Sequence, residues 1–352
     1  MICTRQVFRC FKWLERAGDR ITGAAGPYFV ALAVILISLG TISFFSVVQP
    51  SLPLPWLSTP PCILIAVNLL MHYYYVCTVR PGYIGDHPRY PETSFLWASS
   101  SRPQRRLTAS GVRWSSPELE ILRADVTRCK RCGEMRPERA HHCRICNKCV
   151  LKYDHHCPVR INQCVGLHNE RHFVLFMAYL AVATFFLSFL GYSHALDALG
   201  ITYVPWTHTL PQLCFILIYI LSVVICIAIT LMLLWHLWGI ARGETSVEAQ
   251  DHEVYRNIAK GRGETFLNSY DLGYVRHFRI DVLWRLTTNS KRTNLALFFN
   301  IGPNGYPLYT LFLPFRVMPY TDGHSWARRE GLLRHHGVRE GEELTDEEDE
   351  DP

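Results

Sequence analysis

The chain has 352 residues, of which 49% are hydrophobic and only 19% charged, short of the roughly one quarter charged that a soluble globular domain carries. Its formal net charge is +6 although it closes on the acidic run "EGEELTDEEDEDP", so the body is more basic still and suits membrane or phosphate partners. Seven of the 13 cysteines gather at short spacing in a long basic segment, which excludes a small disulfide-stapled secreted scaffold and points to reduced, metal-binding thiolates in the cytosol.

Residues 1–27 are amphipathic and basic, a cytosolic N-terminal segment and not a cleaved leader, because the apolar block that follows is too long. That block, "YFVALAVILISLGTISFFSVV" (Tyr28–Val48), is uncharged and can cross about 30 Å of hydrocarbon. A second runs from Cys62 to Val79 and ends in tyrosines suited to an interface. The third is Phe173–Tyr192, and the fourth, Leu213–Ile240, is long enough to tilt or project. One such block could be a buried core helix. Four together predict an α-helical polytopic membrane protein, with spans 1 and 2 in 28–79 and spans 3 and 4 in 173–240.

Orientation follows from the basic residues. Loops Gln49–Pro61 and Ser193–His208 contain no Lys or Arg, whereas Arg80–Arg171 is dense in both, so the positive-inside rule places both termini and the Cys-rich segment in the cytosol. Residues 80–172 form a cytosolic loop with a Cys-rich zinc-binding catalytic domain at about 127–169. Residues 241–352 form a cytosolic C-terminal region ending in an acidic disordered tail.

Between spans 2 and 3 lies "VTRCKRCGEMRPERAHHCRICNKCVLKYDHHCPVRINQCVGLHN". Cys129-x2-Cys132 and Cys143-x2-Cys146 are knuckles, each able to present two thiolates to tetrahedral zinc. Two zincs need eight ligands. The candidates, which also include Cys149, Cys157, Cys164 and His141, His142, His155 and His156, exceed eight, so Cys157 and at least one neighbouring histidine are surplus. A segment so poor in apolar residues needs metal cross-links to fold, so the zinc is structural. Cys157 follows Asp154, His155 and His156. An imidazole can take a thiol proton, and a carboxylate on its other nitrogen fixes the tautomer. Adjacent side chains on extended backbone point to opposite faces, so one histidine can face the thiol and the other a metal.

These residues resemble the Asp-His-His-Cys (DHHC) protein S-acyltransferases, or palmitoyltransferases, over roughly Tyr28 to Gly273. The resemblance rests on the four spans, the Cys-rich segment and the motif Asp154–Cys157. It extends to "NQCVG" before span 3, "TSVE" (Thr245–Glu248), similar to the family's Thr-Thr-x-Glu, and "NSYDLG" (Asn268–Gly273). It implies one zinc on Cys129, Cys132, His142 and Cys149, and a second on Cys143, Cys146, His156 and Cys164. It also implies Cys157 as nucleophile, His155 as its base and Asp154 as the residue that orients His155, with His141 left over in an exposed structural role. The implied reaction moves a fatty acyl group, palmitoyl above all, from acyl-CoA as co-substrate through a Cys157 thioester to cytosolic cysteines of membrane-associated proteins. Lys130, Arg131, Arg144, Lys148 and Lys152 are candidates to pair CoA phosphates, and Ala178, Ala181 and Ala183 to leave room for the chain.

The sequence also departs from the family. Its usual Cys-Pro-Trp, one aliphatic residue and Asn-x-Cys is here Cys157-Pro158-Val159-Arg160-Ile161-Asn162-Gln163-Cys164. The added residue is expected to shift side chains after Pro158 and to disturb Cys157 or Cys164. Arg80 replaces a common acid, and His277 falls near the family's late asparagine. The alternative function is therefore a catalytically impaired, zinc-stabilised membrane scaffold. No nucleic-acid partner is expected, because the ligands lie between spans and lack the spacing of a reading finger. Spans near twenty residues favour endoplasmic reticulum or Golgi over a thicker plasma membrane.

Overall fold

Long uncharged runs can satisfy their backbone groups in lipid only as helices or closed barrels, and here they are helices. The computed structural model describes residues 2–86, 96–98, 111–114, 119–158, 161–272, 290–302 and 304–339; Val159, Arg160, Gly273, His277 and the acidic tail lie outside these. Helix α1 (Ile2–Ser43) continues through a π turn (Phe44–Val48) and a 3-10 turn (Gln49–Ser51). Next come α2 (Pro55–Thr78), α3 (Glu170–Leu190), the short α4 (Tyr192–Ala198) and α5 (Gln212–Ala241). Four stretches, Ala24–Ser51, Pro55–Thr78, Glu170–Leu190 and Gln212–Ala241, are long and apolar enough to cross a membrane. On α5, Leu217, Val224, Leu231 and Trp238 recur every seven residues and are all more than half exposed, a lipid-facing stripe. Phe215, Ile218 and Ile229 point inward instead.

Two boundaries differ from the sequence reading. The second span begins at Pro55, not Cys62. Pro55 takes the first helical position, where a missing N–H costs nothing, and Gln49 Nε2 crosses the turn to donate to Pro55 O (3.2 Å) and Thr59 Oγ1 (2.6 Å). The connection between spans 1 and 2 therefore shrinks to 52–54, and the loop expected at 193–208 opens with most of α4.

The Cys-rich segment is built of short antiparallel strands. Strand β1 (Glu120–Arg123) precedes three hairpins: β2 (Val126–Arg128) with β3 (Met135–Pro137), β4 (His141–Cys143) with β5 (Lys148–Val150), and β6 (His155–Cys157) with β7 (Gln163–Val165). After α5 come α6 (Ser246–Gly261), α7 (Ser290–Phe299) and β8 (Ser325–Arg328), which returns to pair with β1. Side chains fasten the hairpins to the ends of the spans. Gln163 Nε2 donates to Val76 O and Val79 O, and Asn169 bridges Gly166 N and Cys164 O, both at 2.9 Å. Buried Lys152 meets Glu170 at the start of α3 at 2.6 Å.

Candidate active site

The hairpin register decides which side chains meet. His142 lies directly opposite Cys149, and His156 opposite Cys164; such cross-strand pairs share one face of their hairpin. Each pair is completed by a knuckle. Cys129, Cys132, His142 and Cys149 form one tetrad and Cys143, Cys146, His156 and Cys164 the other, with the ligand atoms of each within 4.8 Å of one another. Sulfur–nitrogen separations to His142 Nδ1 and His156 Nδ1 run from 3.4 to 3.8 Å. The sulfur–sulfur pairs Cys132–Cys149 and Cys146–Cys164 stand at 3.4 and 3.5 Å. Zinc bonds of about 2.3 Å to sulfur and about 2.0 Å to nitrogen imply tetrahedral edges of about 3.8 and 3.5 Å. The donor sets fit zinc, and three thiols with one imidazole leave no open position, as in a structural site.

Alternation along β6 then places the remaining groups. His156 faces its tetrad, so His155 and Cys157, two residues apart, share the opposite face. Asp154 Oδ2 stands 2.6 Å from His155 Nδ1. The other ring nitrogen, Nε2, is buried without an aligned hydrogen bond, and the Cys157 thiol lies near enough to add to the ring's basicity. Burial alone would lower the His155 pKa, but Asp154 and Cys157 raise it to about 9. Burial likewise works to raise Asp154, while its bonds from His155 and the Ser246 amide and the nearby His236 hold it at about 2.

The second of these partners explains "TSVE". Thr245 caps α6 in a capping box, its oxygen accepting from Glu248 N and Glu248 Oε2 accepting from Thr245 N. The next amide, Ser246 N, donates to Asp154 Oδ1 at 2.7 Å, so the N-terminal turn of α6 aims a backbone donor at the carboxylate. Glu248 also takes two bonds from buried Arg139, at 2.6 and 2.7 Å. The Arg139 guanidinium lies over Tyr270 (4.1 Å) and Trp326 (4.8 Å). "NSYDLG" supplies that tyrosine. Asn268 Nδ2 donates to Arg242 O, and Asp271 Oδ1 accepts from Asn294 Nδ2 at 3.1 Å. Gly243 sits at φ +71°, where a Cβ would fall 2.4 Å from Tyr270 O, so this turn admits no side chain.

Three residues escaped the sequence reading. His236, on α5, stands 3.9 Å from Asp154 and packs its ring against His155 and Phe173; its signal was a lone histidine near the end of an apolar block. Asn294, which lies in no motif, braces Asp271. Trp326 arrives from β8, which has no motif. Other expectations are corrected. Lys152 is turned inward onto Glu170 and is not a surface phosphate ligand, while Lys130, Arg131, Arg144 and Lys148 are exposed. His141 is half-buried against Tyr153, outside both tetrads, and not exposed. The extra residue after Pro158 disturbs neither strand. His156 still faces Cys164, because the pairing of β6 with β7 sets the register.

Cys157 is buried among Leu69, Tyr73, Phe173 and Phe176. Three of these four also line an apolar cavity of about 210 Å³ that runs between the spans to Gly40 and Phe44, with Ala183 on its wall. Ala181 is core, and Ala178 does not line the cavity.

A family model described as DHHC palmitoyltransferase matches residues 125–253. That segment is similar to a DHHC palmitoyltransferase domain. The match takes in both tetrads, Asp154–Cys157, spans 3 and 4 and the first half of α6. "Palmitoyltransferase ZDHHC2" of Mus musculus is 31% identical over 201 residues, 55% of this chain and 50% of its own length. "Palmitoyltransferase ZDHHC16B" of Danio rerio is 27% identical over 363 aligned residues, 91% of this chain and 81% of its own. "Probable protein S-acyltransferase 15" of Arabidopsis thaliana is 30% identical over 165 residues, 47% and 61% respectively. The chain thus spans about half the length of the ZDHHC2 proteins it matches. The hairpins of the matched segment meet the ends of the spans, and Cys157 packs there with Leu69, Tyr73 and Phe176, which line the cavity.

Proposed function

We propose that this chain is a protein S-acyltransferase that moves a fatty acyl group, palmitoyl above all, from acyl-CoA to cysteines of membrane-associated proteins. The observation that carries the reading is the shared face of β6, which sets the Cys157 thiol and the His155 ring together beside an apolar cavity. His155 takes the thiol proton, and its imidazolium is stabilised by Asp154. The Cys157 sulfur attacks the thioester carbonyl, the carbon–sulfur bond to CoA breaks, and the CoA thiolate leaves with the proton from His155. A substrate thiol, deprotonated by the same ring, then attacks the Cys157 thioester and frees Cys157. Exposed Lys130, Arg131, Arg144 and Lys148 suit the CoA phosphates. Two zincs on the tetrads would cross-link the hairpins and withhold six thiolates from acyl exchange. Both termini and the DHHC domain face the cytosol of an endoplasmic reticulum or Golgi membrane.

The preserved pairing of His156 with Cys164 weighs against the scaffold alternative, since that alternative assumed a disturbed hairpin. Purified protein in detergent, given a clickable palmitoyl-CoA, tests the reading. A label that hydroxylamine removes and that Cys157→Ser lacks is expected. Absence of label on protein carrying two zincs would defeat the acyl-transfer reading and favour the scaffold.

A further inference from the structure

The segment 306–316, "YPLYTLFLPFR", makes contacts that acyl transfer does not use. It is apolar, and its only regular structure is the 3-10 turn Leu308–Leu311. Side chains of two spanning helices take up its carbonyls. Asn68 of α2 donates to Phe312 O at 2.8 Å, and Tyr75 of α2 to Pro314 O at 3.0 Å. Arg171 of α3 donates to Thr310 O at 2.7 Å, and Tyr179 of α3 to Leu311 O at 2.8 Å. Asn68 is wholly buried and Arg171 only 4% exposed, so each directs its polar group into the protein.

The depth of these contacts is readable from the helices. Asn68 lies roughly ten residues from the end of α2 at Thr78, and Tyr179 roughly nine from the start of α3 at Glu170. At about 1.5 Å per residue both sit about 13–15 Å along their spans, near half of a hydrocarbon core of about 30 Å. From there the chain returns, and Arg316 pairs backbone with Leu96 and Ala98. Leu308, Tyr309 and Phe312 turn away from the protein, at 60%, 46% and 57% exposure. Leu64, Leu70 and Tyr74 of α2 are likewise exposed. Irregular backbone at membrane depth survives only where protein satisfies its polar groups, and the four carbonyl bonds do that here.

We propose that residues 306–316 form a re-entrant loop seated in the bilayer leaflet that holds the Thr78 end of α2 and the Glu170 end of α3, with Leu308, Tyr309 and Phe312 against lipid acyl chains. The assignment depends on the spans being embedded in lipid and is independent of the transferase reading. It is tested on the full chain bearing an environment-sensitive fluorescent amino acid at Phe312, taken from a monodisperse fraction into phosphatidylcholine vesicles. Lipids with a nitroxide at mid-chain are expected to quench this probe several-fold more than aqueous iodide does, with the reverse order for the same probe at exposed Lys260 on α6. Iodide quenching at 312 matching that at 260 would overturn the proposal. So would protection from both quenchers, which would put a second copy or another protein over the loop. A probe at Leu308 must give the same order as Phe312, which guards against one disturbed variant.

Discussion

Replacing Glu248 by glutamine tests the join between the Cys-rich hairpins and the helix after span 4. Its carboxylate is buried, holds Arg139 through two short bonds and accepts from the Thr245 amide. Burial alone would raise its pKa, but the Arg139 charge and bonds, with His252 and the capping amide, hold it at about 2 against an ordinary 4.5. At about 1.36 kcal/mol per pKa unit this corresponds to roughly 3 kcal/mol. Leaving a buried cation without its counter-charge costs about 3–5 kcal/mol. E248Q keeps the capping bond and loses the charge, so unfolding free energy falls by about 3 kcal/mol, and R139M falls by a similar amount. The double variant removes both charges and loses far less than the sum. Urea unfolding of the zinc-loaded protein in detergent micelles, followed by tryptophan fluorescence, measures all three. Because the folded pKa is depressed, the contribution is complete above pH 4.5 and is lost as pH falls from 4.5 toward 2, so the gap between wild type and E248Q closes over that window. Single variants within about 0.5 kcal/mol of wild type, or strict additivity in the double, would refute the coupling.

Asp154→Asn removes the main support of the raised His155 pKa, so the alkaline limb of Cys157 autoacylation is expected to move from about 9 toward the ordinary 6.5, with a rate loss of about a hundredfold or more at neutral pH; an unmoved limb would show that Asp154 does not tune His155. His236→Phe keeps a ring beside His155 but loses the contact with Asp154. It is expected to lower the acylation rate constant about tenfold, or about 1.4 kcal/mol, with KM for acyl-CoA unchanged. A KM rise that accounts for the whole loss would make His236 a binding or folding residue. Stripping metal with a strong chelator is expected to expose six further thiols to a thiol-reactive dye, the cysteines of the two tetrads, and to abolish labelling at Cys157; fewer new thiols would leave one tetrad without metal.

What the sequence made legible follows from how local each signal is. The spans are long uncharged runs, and the tetrads rest on knuckles separated by two residues, so both survive in one dimension. The opposite facing of His155 and His156 was legible for the same reason, since alternation along a strand is a local rule. The start of α2 was not, because Pro55, Pro60 and Pro61 read as loop until Gln49 supplies bonds from across the turn. The effect of the extra residue after Pro158 was not legible, because pairing with β7, and not position along the chain, fixes the side-chain faces. The contacts of Trp326 and of segment 306–316 leave no pattern at all. They depend on helices and strands far away in sequence, through single side chains that no periodicity marks.

The pairing of β8 with β1 has a consequence for how the protein is made. Arg139, Glu248 and the first turn of α6 form a line that ends on Asp154, and Trp326 supports Arg139 from β8, a strand that follows α7. A ribosome that has passed the DHHC domain has emitted every zinc ligand and the thiol, but not the ring beneath Arg139. The support beneath Arg139 is thereby deferred until β8 has emerged, long after the Asp-His-His-Cys motif. A stop codon between Gly261 and Ser325 would leave the matched segment whole in sequence and its carboxylate poorly held, so such alleles are expected to behave as loss of function despite an intact Asp-His-His-Cys motif.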